Sequence, residues 1–200
     1  GPNPADHALD IQLMSQAATL LARGRIAESE RPLREILKNA TEQNPGPFRA
    51  YVLLGRVLDK LGRQEEEVEA FRAALSQNAD DAATLTDLGN ALAELKRYDD
   101  AVAAYQAATQ IRPPLARAFL NLSMVLSSQG KWEEALPAAQ QAVKLDSGSA
   151  KAHSRHGLIL LKLNRPAEAY QAIQRAAKLD PKNEEYQRAL RDLGTALGRG

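Results

Sequence analysis

A phase of 34 residues, unbroken from Phe48 to Asn183, limits what this chain can fold into more than any other feature. Its clearest copy is Ala82–Leu115, AATLTDLGNALAELKRYDDAVAAYQAATQIRPPL. Leu85, Leu88, Leu92 and Leu95 fall at i, i+3, i+7 and i+10, an apolar stripe of helical period. Lys96 and Arg97 interrupt the stripe and Tyr98 restarts it. Ala101, Tyr105 and Ala108 mark a second face, and Pro113 and Pro114 stop it. Proline ends a helix because it has no amide to donate and clashes with the preceding turn. One period back, Tyr51, Leu54, Gly55, Leu58, Gly62, Phe71 and Ala74 occupy equivalent places. One period on stand Phe119, Leu122, Ser123, Leu126, Gly130, Trp132, Ala135, Ala139 and Ala142. A further period gives His153, His156, Gly157, Leu160, Leu163, Pro166, Ala169, Ile173, Ala176 and Pro181.

A two-helix unit of this length cannot bury both of its faces alone, so stability must come from stacking neighbours. Close approach of the helices needs small side chains, and the sequence supplies them in register. They are Gly55, Gly89, Ser123 and Gly157 at the eighth place, Ala101, Ala135 and Ala169 at the twentieth, and Ala74, Ala108, Ala142 and Ala176 at the twenty-seventh. With Pro113 and Pro181 at unit ends, this pattern resembles the tetratricopeptide repeat (TPR). The resemblance implies an all-α chain, a TPR-type α-solenoid in which antiparallel helix hairpins form a right-handed superhelix. Its repeats would span 48–81, 82–115, 116–149 and 150–183.

Three departures carry expectations. Glu67 stands at a place where alanine is usual, so its hairpin is expected to pack more loosely or turn that charge outward. Ala79 and Ser147 replace the final proline, which predicts less sharply stopped helices. Pro137 lies in a second helix, read as near its start, where a missing amide matters least.

Toward the termini the pattern weakens. Leu13, Ala17, Leu20, Gly24, Ile26, Leu33 and Ile36 fit a divergent repeat over 10–47, closed by the breaker run Asn44-Pro45-Gly46-Pro47 that adds four residues. Residues 1–9 read as a lead-in whose Gly1-Pro2 resembles the scar of a tag-removing protease, as in a chain cut from a longer protein. Over 184–200, Tyr186, Ala189, Leu190, Leu193 and Leu197 predict an amphipathic capping helix with Arg188, Arg191 and Asp192 outward, and Gly198-Arg199-Gly200 frayed.

Chemistry is sparse. With no cysteine, thiolate catalysis, disulfides and cysteine-held zinc are excluded. Of the three histidines, with His7 the first, His153 and His156 share one helix face at i, i+3 but lack the carboxylate of an H-E-x-x-H motif, so these two read as half-buried structural residues. No glycine-rich phosphate loop or G-x-S-x-G elbow occurs. Glu65-Glu66-Glu67 reads as a solvated helix start favoured by the dipole. No catalytic residue, metal or cofactor is expected, and the chain is read as a non-enzyme. A formal net charge of +1 gives no global pull toward nucleic acid or anionic membrane. No apolar run is long enough to span a bilayer, and no signal peptide is visible. A cytoplasmic protein is the expectation.

Function then falls to the surface. In the family that the chain resembles, first helices line a concave groove, with places two, five, six, nine, twelve and thirteen facing it. The divergent repeat offers Ile11, Met14, Ala18 and Leu21. The next gives Arg49, Val52, Leu53, Arg56, Asp59 and Lys60, then Thr86, Asp87, Asn90 and Glu94. Arg117, Leu120, Asn121, Met124, Ser127 and Ser128 follow, and Lys151, Ser154, Arg155, Leu158 and Lys162 close the series. Asparagine amides can bond a peptide backbone on both its donor and acceptor sides, and the cations favour carboxylates. The expected partner is an extended peptide or protein segment, with self-association also open. Arg49, Leu53, Arg56, Asp87, Asn90, Arg117, Leu120, Asn121, Met124, Lys151, Arg155 and Leu158 are the contact candidates.

Asn90, Asn121, Lys151 and Arg155 also occupy four of the five places of the two-carboxylate clamp in TPR co-chaperones, a resemblance that implies an acidic C-terminal tail as ligand. Thr86 stands where the fifth, a lysine, is expected. That loss weakens carboxylate capture by about 1–3 kcal/mol, and the neighbouring Asp87 would repel such a tail. The phrases Asp87–Leu92 (DLGNAL) and Asn121–Ser123 (NLS) resemble, in addition, the substrate-recruiting repeat arms of glycosyl- and sulfotransferases.

Overall fold

What turns the first helix of each pair back on the second is a single left-handed residue. The computed structural model describes residues 4–38, 40 and 46–198. Positive φ occurs at Gly24, Gly62, Lys96, Gly130, Asn164 and Gly198, near 56–74° in every case. From Gly62 onward these sit one 34-residue period apart. Gly24 lies four residues further back, which matches the extra four residues of the breaker run. Around this residue the chain closes a Schellman-type end, in which the next amide reaches five residues back. Arg25, Arg63, Arg97, Lys131 and Arg165 donate to the carbonyls of Leu20, Leu58, Leu92, Leu126 and Leu160 at 2.8–3.0 Å. Each donor is basic and each acceptor a leucine, so one motif is used in all five turns.

Eleven helices and no strand result among the described residues. The chain divides into two compact units, residues 1–97 and 98–200. The first holds α1 (Pro4–Ala22), α2 (Ile26–Leu37), α3 (Phe48–Lys60), α4 (Gln64–Gln77) and α5 (Ala82–Glu94). The second holds α6 (Tyr98–Gln110), α7 (Ala116–Ser128), α8 (Trp132–Leu145), α9 (Ala150–Lys162), α10 (Pro166–Leu179) and α11 (Glu184–Ala196). Helix α1 starts at Pro4, so part of the expected lead-in is helical. The Gly1-Pro2 scar, Asn44-Pro45 of the breaker run, Arg199-Gly200 and the side chain of His7 lie outside the described residues.

Small residues do what their spacing predicts. A Cβ on Gly55 would sit 2.5 Å from Phe71 Cε1, and one on Gly157 would sit 2.8 Å from Ile173 Cδ1, both inside van der Waals contact. The alanines of the twentieth and twenty-seventh places are sealed off from solvent: Ala74, Ala101, Ala108, Ala135, Ala169 and Ala176 at 0% and Ala142 at 1% exposure. Close-packed contacts of this kind leave no room for an added methyl. Within the first unit a core forms from Ala17, Leu33, Ile36, Ala50, Leu54, Val57, Leu58 and Ala70. Tyr105, Leu122, Val125, Leu126, Ile159, Leu160 and Ile173 are the large buried side chains of the second.

Two expectations about helix ends are corrected. Helices α4, α8 and α10 stop at the same place, Gln77, Leu145 and Leu179, whether proline or another residue follows. Asn78, Asp146 and Asp180 make the stop, leaving helical geometry at φ −141 to −130° and ψ 80–87°. Pro137 is also further in than expected. As the sixth residue of α8 it deprives the Glu133 carbonyl of its helical donor, a cost that proline at a first position such as Pro166 avoids. At the chain's end α11 packs on α10. Asn183 caps it, accepting from the amides of Glu185 and Tyr186, and the Gln187 amide donates to the Ala177 carbonyl at 3.1 Å.

Candidate functional site

At 3.6 residues per turn, places two, six, nine and thirteen of a first helix fall within one narrow stripe, while five and twelve lie roughly 70–90° from its centre. That geometry sorts the contact candidates. In α3, α5, α7 and α9 the sixth place (Leu53, Asp87, Asn121, Arg155) is half-buried throughout. The thirteenth (Lys60, Glu94, Ser128, Lys162) is exposed throughout. Ninth-place Asn90 and Met124 are half-buried, Arg56 and Leu158 exposed, and second-place Arg49, Arg117 and Lys151 are exposed. At the stripe's edge two expectations fail. Thr86 is fully buried with its hydroxyl donating to the Ala82 carbonyl at 2.6 Å. Ser127 is buried with its hydroxyl on the Ser123 carbonyl at 2.6 Å. Each hydroxyl is taken up by a carbonyl of its own helix, so neither faces a ligand.

In the first unit the stripe is electrostatically organised. Arg56 of α3 donates from Nε and Nη2 to one oxygen of Asp87 on α5, at 3.2 and 3.1 Å. This brings two contact candidates together and offsets the repulsion expected of Asp87. Beside it is a feature the sequence reading missed. Glu67 of α4, expected to point outward from a solvated run, is 3% exposed. Its Oε2 is buried without a hydrogen-bond partner, and carboxylate oxygens of Asp59, Glu67 and Glu94 lie within 4.8 Å of one another. Burial first, then the negative charges of Asp59, Glu94 and Asp87, push the Glu67 carboxyl up to about 8. The one signal in the sequence was glutamate at an alanine place.

The other two glutamates of the run differ from Glu67, being exposed. Arg63 donates to Glu66 from Nε at 2.7 Å and to Glu30 from Nη1 at 2.8 Å, and Arg34 ties Glu30 to Glu66 at 2.6 Å on each side. Hydrogen bonds from Arg63 and then Arg34 hold Glu66 below the usual carboxylate range. The i, i+3 pairing recurs in Arg25–Glu28 and Arg165–Glu168, at the same place of their helix pairs. A cleft of about 690 Å³, lined by Arg31, Arg34, Lys38, Tyr51 and Leu54, opens here between α2 and α3, away from the stripe.

In the second unit the stripe alternates polar and apolar groups. Asn121 and Met124 share α7 with Leu120 and Arg117. On α9, which α7 touches, Lys151 and Arg155 stand one turn apart and Leu158 is 39% exposed. The Lys162 ammonium lies 5.8 Å from the centre of the Trp132 ring, a cation–π contact. His153 and His156 are both half-buried. His153 Nε2 contacts the Ser147 carbonyl at 3.1 Å. Burial, then His153 and Arg165, lower the pKa of His156. No helix among the described residues is long and apolar enough to cross a membrane.

Against known proteins, no curated sequence matches. Among solved structures, PilF of Pseudomonas aeruginosa superposes with a TM-score of 0.81 at 22% identity, covering 98% of this chain and 87% of that one. The MamA protein superposes at 0.77 and 20% identity, covering 89% and 95%. YrrB, described as a TPR protein with an unusual peptide-binding site, superposes at 0.73 and 19%, covering 88% and 89%. These likenesses show the fold. Two family models described as tetratricopeptide repeat match the sequence, one over residues 80–147 and the other over 14–83 and 120–184. With helix pairs, turn residues and small-residue places all in the 34-residue register, the chain belongs to the tetratricopeptide-repeat family.

Proposed function

We propose that the chain is a protein-interaction module that binds extended partner segments on the stripe of α3 and α5 in the first unit and, separately, on the stripe of α7 and α9 in the second. The observation that carries this reading is the graded exposure of those stripes. Half-buried amides and apolar side chains (Asn90, Asn121, Leu120, Met124) lie beside exposed cations (Arg49, Arg117, Lys151). An extended peptide offers a backbone donor and acceptor at each residue, which an amide satisfies on both sides, and side chains for the apolar patches. The fold likeness to YrrB agrees with this reading. An acidic C-terminus fits α9, where Lys151 and Arg155 can share its carboxylate through charge-assisted hydrogen bonds.

The test selects peptides from a random library on the full chain and then titrates them into variants. Loss of at least tenfold in affinity with Asn121→Ala and Leu120→Ala, and none with Glu133→Gln on α8, is expected. Equal binding by all the variants refutes the reading. For the carboxylate, Arg155→Glu and amidation of the peptide terminus should each abolish binding of acidic-tailed peptides; unchanged binding of the amidated form removes that part alone.

A further inference from the structure

Asp59, Glu67 and Glu94 form a cluster that is not among the contact candidates above, with Glu94 at the end of the α5 stripe and Asp59 at the edge of that of α3. Its carboxylates come from three helices: the last turn of α3, the first turn of α4 and the final residue of α5. They converge because the Gly62 turn folds α4 back on α3, and α5 packs against α4. Like charges brought together this way repel unless one of them takes up a proton or something cationic lies between them.

From this geometry we propose that Asp59, Glu67 and Glu94 form a binding site for a hard divalent cation of the calcium class. Two independent features point to it. The first is separation: the three oxygens lie within 4.8 Å of one another, and two ligands of one calcium ion, each bonded at about 2.3–2.6 Å, can stand no further apart than about 5 Å. The second is the orphaned oxygen. Glu67 is 3% exposed and its Oε2 is buried with no hydrogen-bond partner, a state that native interiors rarely leave uncompensated. Asp59 and Glu94 are exposed, which gives the ion a way in and leaves room for water to complete its coordination.

The chemistry of the donors selects the class. All three are carboxylates, which suit calcium, magnesium and manganese over the softer metals that seek imidazole or thiolate. A lysine or arginine from a partner is the weaker alternative. Its nitrogen needs about 2.8 Å to an oxygen and arrives on a bulky stem, whereas a calcium ion bonds its oxygens at about 2.3–2.6 Å. Arg56 is already committed to Asp87 at 3.1 Å.

The site is tested on the full chain, stripped with EDTA and desalted, by calorimetric titration with Ca2+ and by amide NMR with Mn2+. One Ca2+ per chain and paramagnetic broadening centred on residues 57–67 and 91–95 are expected. Glu94→Gln and Asp59→Asn, both at exposed positions, should each weaken binding at least tenfold while the helical circular dichroism stays unchanged. Glu133→Gln should leave binding as it is. Broadening spread over other acidic surfaces, equal affinity in all variants, or a trilysine peptide that binds these residues while neither metal does, would each overturn the proposal. Peptide capture on the stripes plays no part in these readouts, so the two readings fail separately.

Discussion

Replacing Glu67 should change how the stability of the metal-free chain depends on pH. Its pKa rises from 4.5 to about 8 in the fold, through burial first and then the charges of Asp59, Glu94 and Asp87, the last of these paired with Arg56. Over that interval the folded chain keeps a proton that the unfolded chain has released. The contribution is therefore fully present below pH 4.5 and lost as pH rises through about 8. At about 1.4 kcal/mol for each tenfold change in proton affinity, the ceiling is about 5 kcal/mol. Asp59 and Glu94 are open to solvent, which screens the site, so about 2 kcal/mol between pH 5 and pH 8 is the expected size. In a chain of this length that is roughly 4–8 °C in Tm. Thermal melts in EDTA at pH 5, 6, 7 and 8, followed by circular dichroism, compare the parent with Glu67→Gln. His156, whose lowered pKa weakens both proteins toward acid pH, cancels in the comparison. The parent's Tm should fall toward pH 8 relative to the variant's. Glu67→Ala, which installs the residue found at Ala101, Ala135 and Ala169, should be the most stable of the three at pH 8. Parallel profiles refute the burial argument.

Other substitutions test the packing. Gly55→Ala forces a methyl against the Phe71 ring, which is 1% exposed and cannot move away; a loss of about 2–3 kcal/mol in urea melts is expected. Lys96 holds φ at 59° without being glycine, so Lys96→Gly should stabilise by about 0.5–1 kcal/mol, whereas Gly130→Ala at the same place should destabilise by a similar amount. Pro137→Ala restores a donor for the Glu133 carbonyl inside α8 and should raise stability by about 1 kcal/mol or more.

The repeat was legible because its constraints are local. A left-handed turn, a glycine under Phe71 and alanines between helices recur at fixed spacing, and each has one physical reason to be there. The acidic cluster was not legible. Glu67 announced itself as an alanine place wrongly filled, but Asp59 stands eight residues before it and Glu94 twenty-seven after. Only the turn at Gly62 and the packing of α5 on α4 bring them within 4.8 Å. Thr86 shows a second limit. The stripe's centre follows from helical periodicity, but at its edge periodicity alone does not say which side chain stays outside. Thr86 and Ser127 there are buried, while Leu120 and Ser154 are half-buried. The helix ends at Gln77 and Leu145 show a third, since the extended Asn78 and Asp146 stop them where proline is missing.

Hydrogen–deuterium exchange with a library-selected peptide tests most directly whether the first helices carry the binding. On saturation with peptide, protection should increase along α3, α5, α7 and α9 and leave α4, α8 and α10 unchanged. Protection confined to α4, α8 and α10, with the first helices exchanging as before, would contradict it.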